Sequence, residues 1–132
     1  MKLVWLVAVG GALGSGCRYL VTVATQNMAG VTFPVGTLVV NVTGSLALGF
    51  LMRYSMQSAA ISPEMRLLLT SGFCGGYTTF STFSYESVRL IEDGAWRTAS
   101  VYMLASVVLS LAAMFVGFRL AQLLRLGGGA LS

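Results

Sequence analysis

Histidine is absent from this sequence, and the only acids are Glu64, Glu86, Glu92 and Asp93. With no histidine, no metal-binding cluster and no paired acids inside an apolar run, no enzyme chemistry has a place to sit. Lysine and arginine are scattered rather than clustered, which excludes nucleic acid as a partner. The two cysteines, Cys17 and Cys74, both fall within apolar stretches and read as small packing residues, not as a disulfide or a metal site. Charged residues of both signs make up 9% of the chain, against about 25% in a soluble domain. Such a deficit makes lipid the main solvent.

What remains is 56% hydrophobic and rich in glycine, serine and threonine. A membrane span needs roughly 20 apolar residues, so the 132 residues hold four spans with short loops in a single domain, residues 1–132. The first span is expected over about 3–25. Lys2 followed by an apolar run can mimic a secretory signal, but this run is too long and has no small-x-small cleavage site close behind it. The second span is expected over about 36–54, after a polar turn ending in Pro34. The third is expected over about 64–91, opened by Ser62-Pro63-Glu64 as N-cap, first-turn proline and first-turn acid. The fourth is expected over about 96–126, followed by a small, glycine-rich tail from Gly127 to Ser132. The fold class is therefore an all-α membrane protein of four transmembrane helices. Lys2, Arg53, Arg66 and Arg125 fall on one side and Arg89 and Arg97 on the other, a bias weak enough to be compatible with insertion in both orientations.

The third span is expected to be broken. Gly72, Gly75 and Gly76 are poor helix-interior residues, and Thr78, Thr79, Ser81, Thr82 and Ser84 follow directly. Non-helical backbone at membrane depth is tolerated only where protein buries it or water reaches it. Unwound carbonyls there can coordinate a cation, and freed N–H groups can face an anion. Gly10 and Gly14, like Gly72 and Gly76, form small-xxx-small faces that serve as association surfaces, with a homodimer as the simplest result.

Three further patterns bear on the sign of the ion. In the tandem Thr79-Phe80-Ser81-Thr82-Phe83-Ser84, Phe80 and Phe83 share a helix face, and ring edges carry partial positive charge. Tyr102, Ser106 and Ser110 form one polar stripe on an otherwise apolar helix. Asn41 adds an amide with two N–H donors. Neutral donors dominate, and Glu86 is the one deep carboxylate. A cation path would carry acid rings and a proton relay would carry Asp, Glu or His chains, so this inventory suits a small, hard anion. A four-span proton-coupled multidrug exporter is the alternative, but it requires a carboxylate deep in the first span, which has none. A purely structural subunit is a third reading, one that the tandem repeat does not fit.

The segments GGALGSGCRY (10–19), GTLVVNVTGS (36–45) and GFCGGYTTFSTFSYE (72–86) resemble the Fluc/CrcB fluoride-channel family. The resemblance runs in order over nearly the whole chain, and its third segment is highly specific. Tyr77 stands where the family usually has an aliphatic residue. The resemblance implies a dual-topology antiparallel homodimer in the bacterial inner membrane, with two pores that pass fluoride and lower its cytoplasmic level. It implies a structural sodium ion held by the backbone carbonyls of Gly75 and Thr78 of both subunits. Phe80 and Phe83 would be the pore phenylalanines and Asn41 the pore asparagine. Ser81, Thr82, Tyr102, Ser106 and Ser110 would line a polar track. Arg18 would lie at a vestibule and Glu86 near the pore end.

Overall fold

The computed structural model describes residues 2–128. The final residues of the expected tail, 129–132, and Met1 of the expected domain lie outside that range. All of the described elements are helical: α1 (Lys2–Ala29), α2 (Val35–Gln57), α3 (Pro63–Leu67), a π-helical segment (Leu68–Cys74), α4 (Gly75–Tyr77), α5 (Phe80–Glu92) and α6 (Trp96–Gly128). Helices α1, α2 and α6 are each long and apolar enough to cross a membrane. Each runs a few residues beyond the apolar window expected from sequence, because a helix continues until a turn residue stops it.

Those stops have local causes. Gly30 ends α1 at φ +58° and Gly94 follows α5 at φ +76°, backbone that residues with a Cβ rarely adopt. At the second of these, Gly94 N–H donates to the Ile91 carbonyl (3.0 Å) and Ala95 N–H to the Leu90 carbonyl (2.9 Å). This is the paired bonding of a Schellman C-cap. At the start of α3, Ser62 Oγ accepts from Met65 N–H (3.2 Å) with Pro63 at the first helical position.

Helix α2 packs along α6, while α1 packs against the π-helical segment and α4. The glycines explain the second contact. A methyl group at Gly10 would meet the Phe73 amide nitrogen at 2.9 Å and the Gly72 Cα at 3.0 Å. One at Gly76 would meet the Gly11 Cα at 2.9 Å. The two small-xxx-small faces are thus spent on each other within one chain and are not free surfaces for a second copy. Sequence spacing reports that a helix can be approached closely but not by which partner.

Between α4 and α5 the chain leaves helical geometry. Thr78 (φ −80°, ψ 158°) and Thr79 (φ −149°, ψ 116°) are extended. Tyr77 lies just before them, stacked on Phe73 with ring centroids 6.1 Å apart and its hydroxyl 2.9 Å from the Thr43 hydroxyl.

Candidate functional site

The extended pair Thr78–Thr79 is held by one side chain from α2. Asn41 Nδ2 donates to the Thr79 carbonyl (2.9 Å), and Thr79 N–H donates to Asn41 Oδ1 (2.7 Å). The asparagine amide therefore pairs with the Thr79 backbone much as a neighbouring strand would, and it satisfies both backbone groups of a buried residue. Thr79 also caps α5. Its Oγ1 accepts from Thr82 N–H (3.2 Å), donates to Thr82 Oγ1 (3.0 Å) and lies 3.3 Å from Ser81 Oγ.

These bonds divert two amides. In a continuous α-helix Thr79 N–H would reach the Gly75 carbonyl, and Thr82 N–H would reach the Thr78 carbonyl. The first goes to Asn41 and the second to the Thr79 hydroxyl. Thr78 N–H closes the preceding turn on the Cys74 carbonyl (3.0 Å), and the Thr78 hydroxyl donates to that same oxygen (3.0 Å). The carbonyls of Gly75 and Thr78 thereby lose their usual helical donors.

Beside the interruption lies an open cavity of about 300 Å³. Asn41 and Ser45 from α2, Thr78, Thr79, Phe80 and Phe83 from the third segment, and Ser106 and Ser110 from α6 line it. Asn41 lines the cavity with an amide that carries a second N–H beyond the one given to Thr79. The buried Ser106 hydroxyl has no hydrogen-bond partner among the described residues. No charged side chain is part of the lining. Leu48, Val107 and Leu111 complete the lining, so the cavity offers neutral polar groups and aromatic rings in a largely apolar wall.

The aromatic rings form a row leading away from it. Phe80 and Phe83 lie 5.5 Å apart, Phe83 and Tyr102 5.4 Å, and Tyr102 meets Phe33 edge-on at 5.6 Å. At the far end of the row stands Glu86. Its Oε2 accepts from the Tyr102 hydroxyl (2.6 Å) and its Oε1 from Thr37 Oγ1 (2.9 Å). Both oxygens of the carboxylate are thus engaged by hydroxyl donors from two other helices. Glu86 also lines a second cavity of about 330 Å³, with Thr22, Gln26, Thr32, Arg89 and Asp93 among its walls.

The structure therefore gathers Asn41, Thr78, Phe80, Phe83, Ser106 and Ser110 around one cavity, and Tyr102 with Glu86 at the end of the ring row. Ser81 and Thr82 are engaged with Thr79 at the start of α5 instead of in the cavity lining. Gly75 sits at the start of α4, just ahead of the interruption. Arg18 lies half-buried on α1, away from either cavity's lining. Three participants escaped the sequence reading. Thr37 and Ser45 share a face of α2 with Asn41 at four-residue spacing, a signal that was available in the sequence. Phe33 lies in a turn, where periodicity has no meaning.

The sequence model of the family described as CrcB-like protein, Camphor Resistance (CrcB), matches residues 5–118. The chain belongs to the CrcB-like family. A relative from Rhizobium meliloti is 49% identical over 120 residues, covering 91% of this chain and 96% of its own length. One from Citrifermentans bemidjiense is 47% identical over 118 residues, covering 89% and 95% respectively. One from Agrobacterium fabrum is 49% identical over 117 residues, covering 89% and 94%. Each is named a fluoride-specific ion channel FluC. Membership in this family, together with its apolar helices, makes the chain a multi-pass membrane protein.

Proposed function

We propose that this CrcB-like chain is a fluoride-selective passive channel of the bacterial inner membrane that lets fluoride leave the cytoplasm and so lowers its toxicity. The observation that carries the reading is the cavity at the interruption. It is bordered by the Asn41 amide, the unpartnered Ser106 hydroxyl, Ser110 and the Phe80 and Phe83 rings, with no fixed charge. Conduction needs binding favourable enough to enter and weak enough to leave. Neutral donors and ring edges meet that condition for a small anion that accepts hydrogen bonds strongly. The names of the relatives supply the identity of the anion. The exporter alternative has no support, since α1 carries no carboxylate and the relatives are named as channels. The protein is not an enzyme.

The working unit we infer is an antiparallel, dual-topology homodimer with two pores, each α3–α5 segment forming one broken third span and the whole chain one membrane domain. Phe80 supports this. It borders the cavity and is 78% exposed in the single chain, which leaves that side of the cavity free for a second copy to cover. We assign Asn41, Phe80, Phe83, Ser106 and Ser110 to the central path, Ser81 and Thr82 to its margin, and Tyr102 with Glu86 to one end. Arg18 is assigned to an outer vestibule.

The carbonyls of Gly75 and Thr78 would hold a structural sodium ion together with the same pair from the second copy. The diversion of Thr79 N–H and Thr82 N–H fits that role, because carbonyl oxygens freed from helical donors are the ligands a hard cation takes. A bound cation there offsets the mutual repulsion of carbonyl dipoles from two chains and so ties the subunits together. The test is fluoride efflux from vesicles carrying the purified protein. Efflux is expected with sodium present and is expected to fail when a large organic cation replaces sodium throughout. No fluoride efflux under any condition would contradict the channel, and equal efflux without sodium would contradict the sodium site.

A further inference from the structure

We propose that Gln26 is a positioning residue that holds both hydroxyl donors of Glu86 in place. The inference rests on the fluoride-channel reading above. Gln26 lies near the end of α1, and its side-chain bonds go to the turn that leads into α2 and to the first turn of α2 itself. Its Nε2 donates to the Val31 carbonyl (2.8 Å) and the Phe33 carbonyl (3.1 Å), and its Oε1 accepts from Gly36 N–H (3.1 Å). Both amide hydrogens and the amide oxygen are thereby engaged.

Two arms run from this amide to the same carboxylate. The first passes through Gly36. Pro34 precedes α2 and provides no side-chain cap, so an amide at the helix start would be left unpaired. Gln26 supplies that bond from another helix. A methyl at Gly36 would meet the Thr22 carbonyl oxygen at 2.7 Å, so the start of α2 is also pressed against α1. The next residue is Thr37, 2% exposed, whose hydroxyl donates to Glu86 Oε1. The second arm passes through Phe33. Its carbonyl is fixed by Gln26 and by Val35 N–H (2.8 Å), and its ring meets Tyr102 edge-on. Tyr102 donates to Glu86 Oε2. A turn that shifts therefore loosens both donors at once. A carboxylate oxygen released from its donor presents bare negative charge at the end of the ring row, where it repels an anion.

The test uses full-length protein in vesicles and Gln26→Met, which keeps the length of the side chain and removes its hydrogen bonds. Wild-type fluoride efflux in the same preparation comes first, because its absence sinks the channel reading whatever Gln26 does. With wild type active, Gln26→Met is expected to lower efflux at least roughly fivefold, the scale of one net hydrogen bond, at unchanged dimer elution. The decisive readout is the infrared carboxylate stretch of Glu86, identified as the band lost in Glu86→Gln. The chain has only four acids, so the band is separable, and it should shift in Gln26→Met. Gln26→Leu also removes all three bonds without adding a carboxylate, and should give the same two changes. Reduced flux with an unmoved band, or flux and band both unchanged, overturns the proposal. So does failure of both variants to fold, which would make Gln26 a residue of folding alone.

Discussion

Asn41→Leu is expected to abolish fluoride efflux and to lower the stability of the folded protein together. Leucine matches asparagine in size but leaves Thr79 N–H and the Thr79 carbonyl unpaired beside a cavity of low polarity. Each buried group stripped of its partner costs about 1–3 kcal/mol, so a loss on the order of 2–6 kcal/mol is expected in a denaturation series. Flux falls as well as stability, because the same amide lines the cavity. Its loss removes a donor from the path and frees the geometry of Phe80, which follows Thr79 directly. Efflux should fall by roughly a hundredfold or more, a barrier change of about 2.7 kcal/mol. Asn41→Asp separates the two roles. It keeps an acceptor for Thr79 N–H, but it cannot donate to the carbonyl and places negative charge in an anion path. It should retain more stability than leucine while passing no more fluoride. Full efflux in either variant would remove Asn41 from the path.

The second large effect is expected at the phenylalanines. Phe80→Ile and Phe83→Ile should each lower fluoride efflux at least roughly tenfold, equivalent to about 1.4 kcal/mol of barrier, while the dimer stays intact. The two rings sit 5.5 Å apart, and Phe83 touches Tyr102, so the row runs unbroken from the cavity toward Glu86. Isoleucine fills much of the same volume but has no positive ring edge to meet an anion. A plain packing role predicts the opposite pattern. Phe80 is 78% exposed in the single chain, and truncating so exposed a side chain would leave folding nearly unchanged. Efflux at the wild-type rate in both variants, measured in the same vesicles, would take the rings out of the mechanism.

The legible parts of this molecule are those with a local signature. Apolar runs of span length mark the long helices because lipid demands them over their full length. The stretch around Thr78 and Thr79 stands out because glycine and hydroxyl side chains crowd where a lipid-facing helix would carry leucine and valine. The stripe Tyr102, Ser106 and Ser110 is visible through helical periodicity, and its members do face the ring row and the cavity. Other parts depend on what lies across the fold. The glycine faces of α1 and the third segment advertise close approach, yet their meeting within one chain is a matter of topology. Asn41 is visible as a buried donor, but its clasp on Thr79 joins residues 38 positions apart. Gln26 is invisible for a plainer reason. A glutamine near the end of a helix is ordinary, and its importance lies in two bonds to a turn that has no periodicity and one to the start of α2.

A selective anion path through the cavity beside Thr78 and Thr79 must separate fluoride from chloride. The most direct measurement compares fluoride and chloride efflux from the same vesicles, down matched gradients, with the purified protein in sodium-containing buffer. Rapid release of fluoride is expected, with chloride retained as in protein-free vesicles. Release of chloride at a rate comparable to fluoride, or retention of both, would rule out a selective anion path.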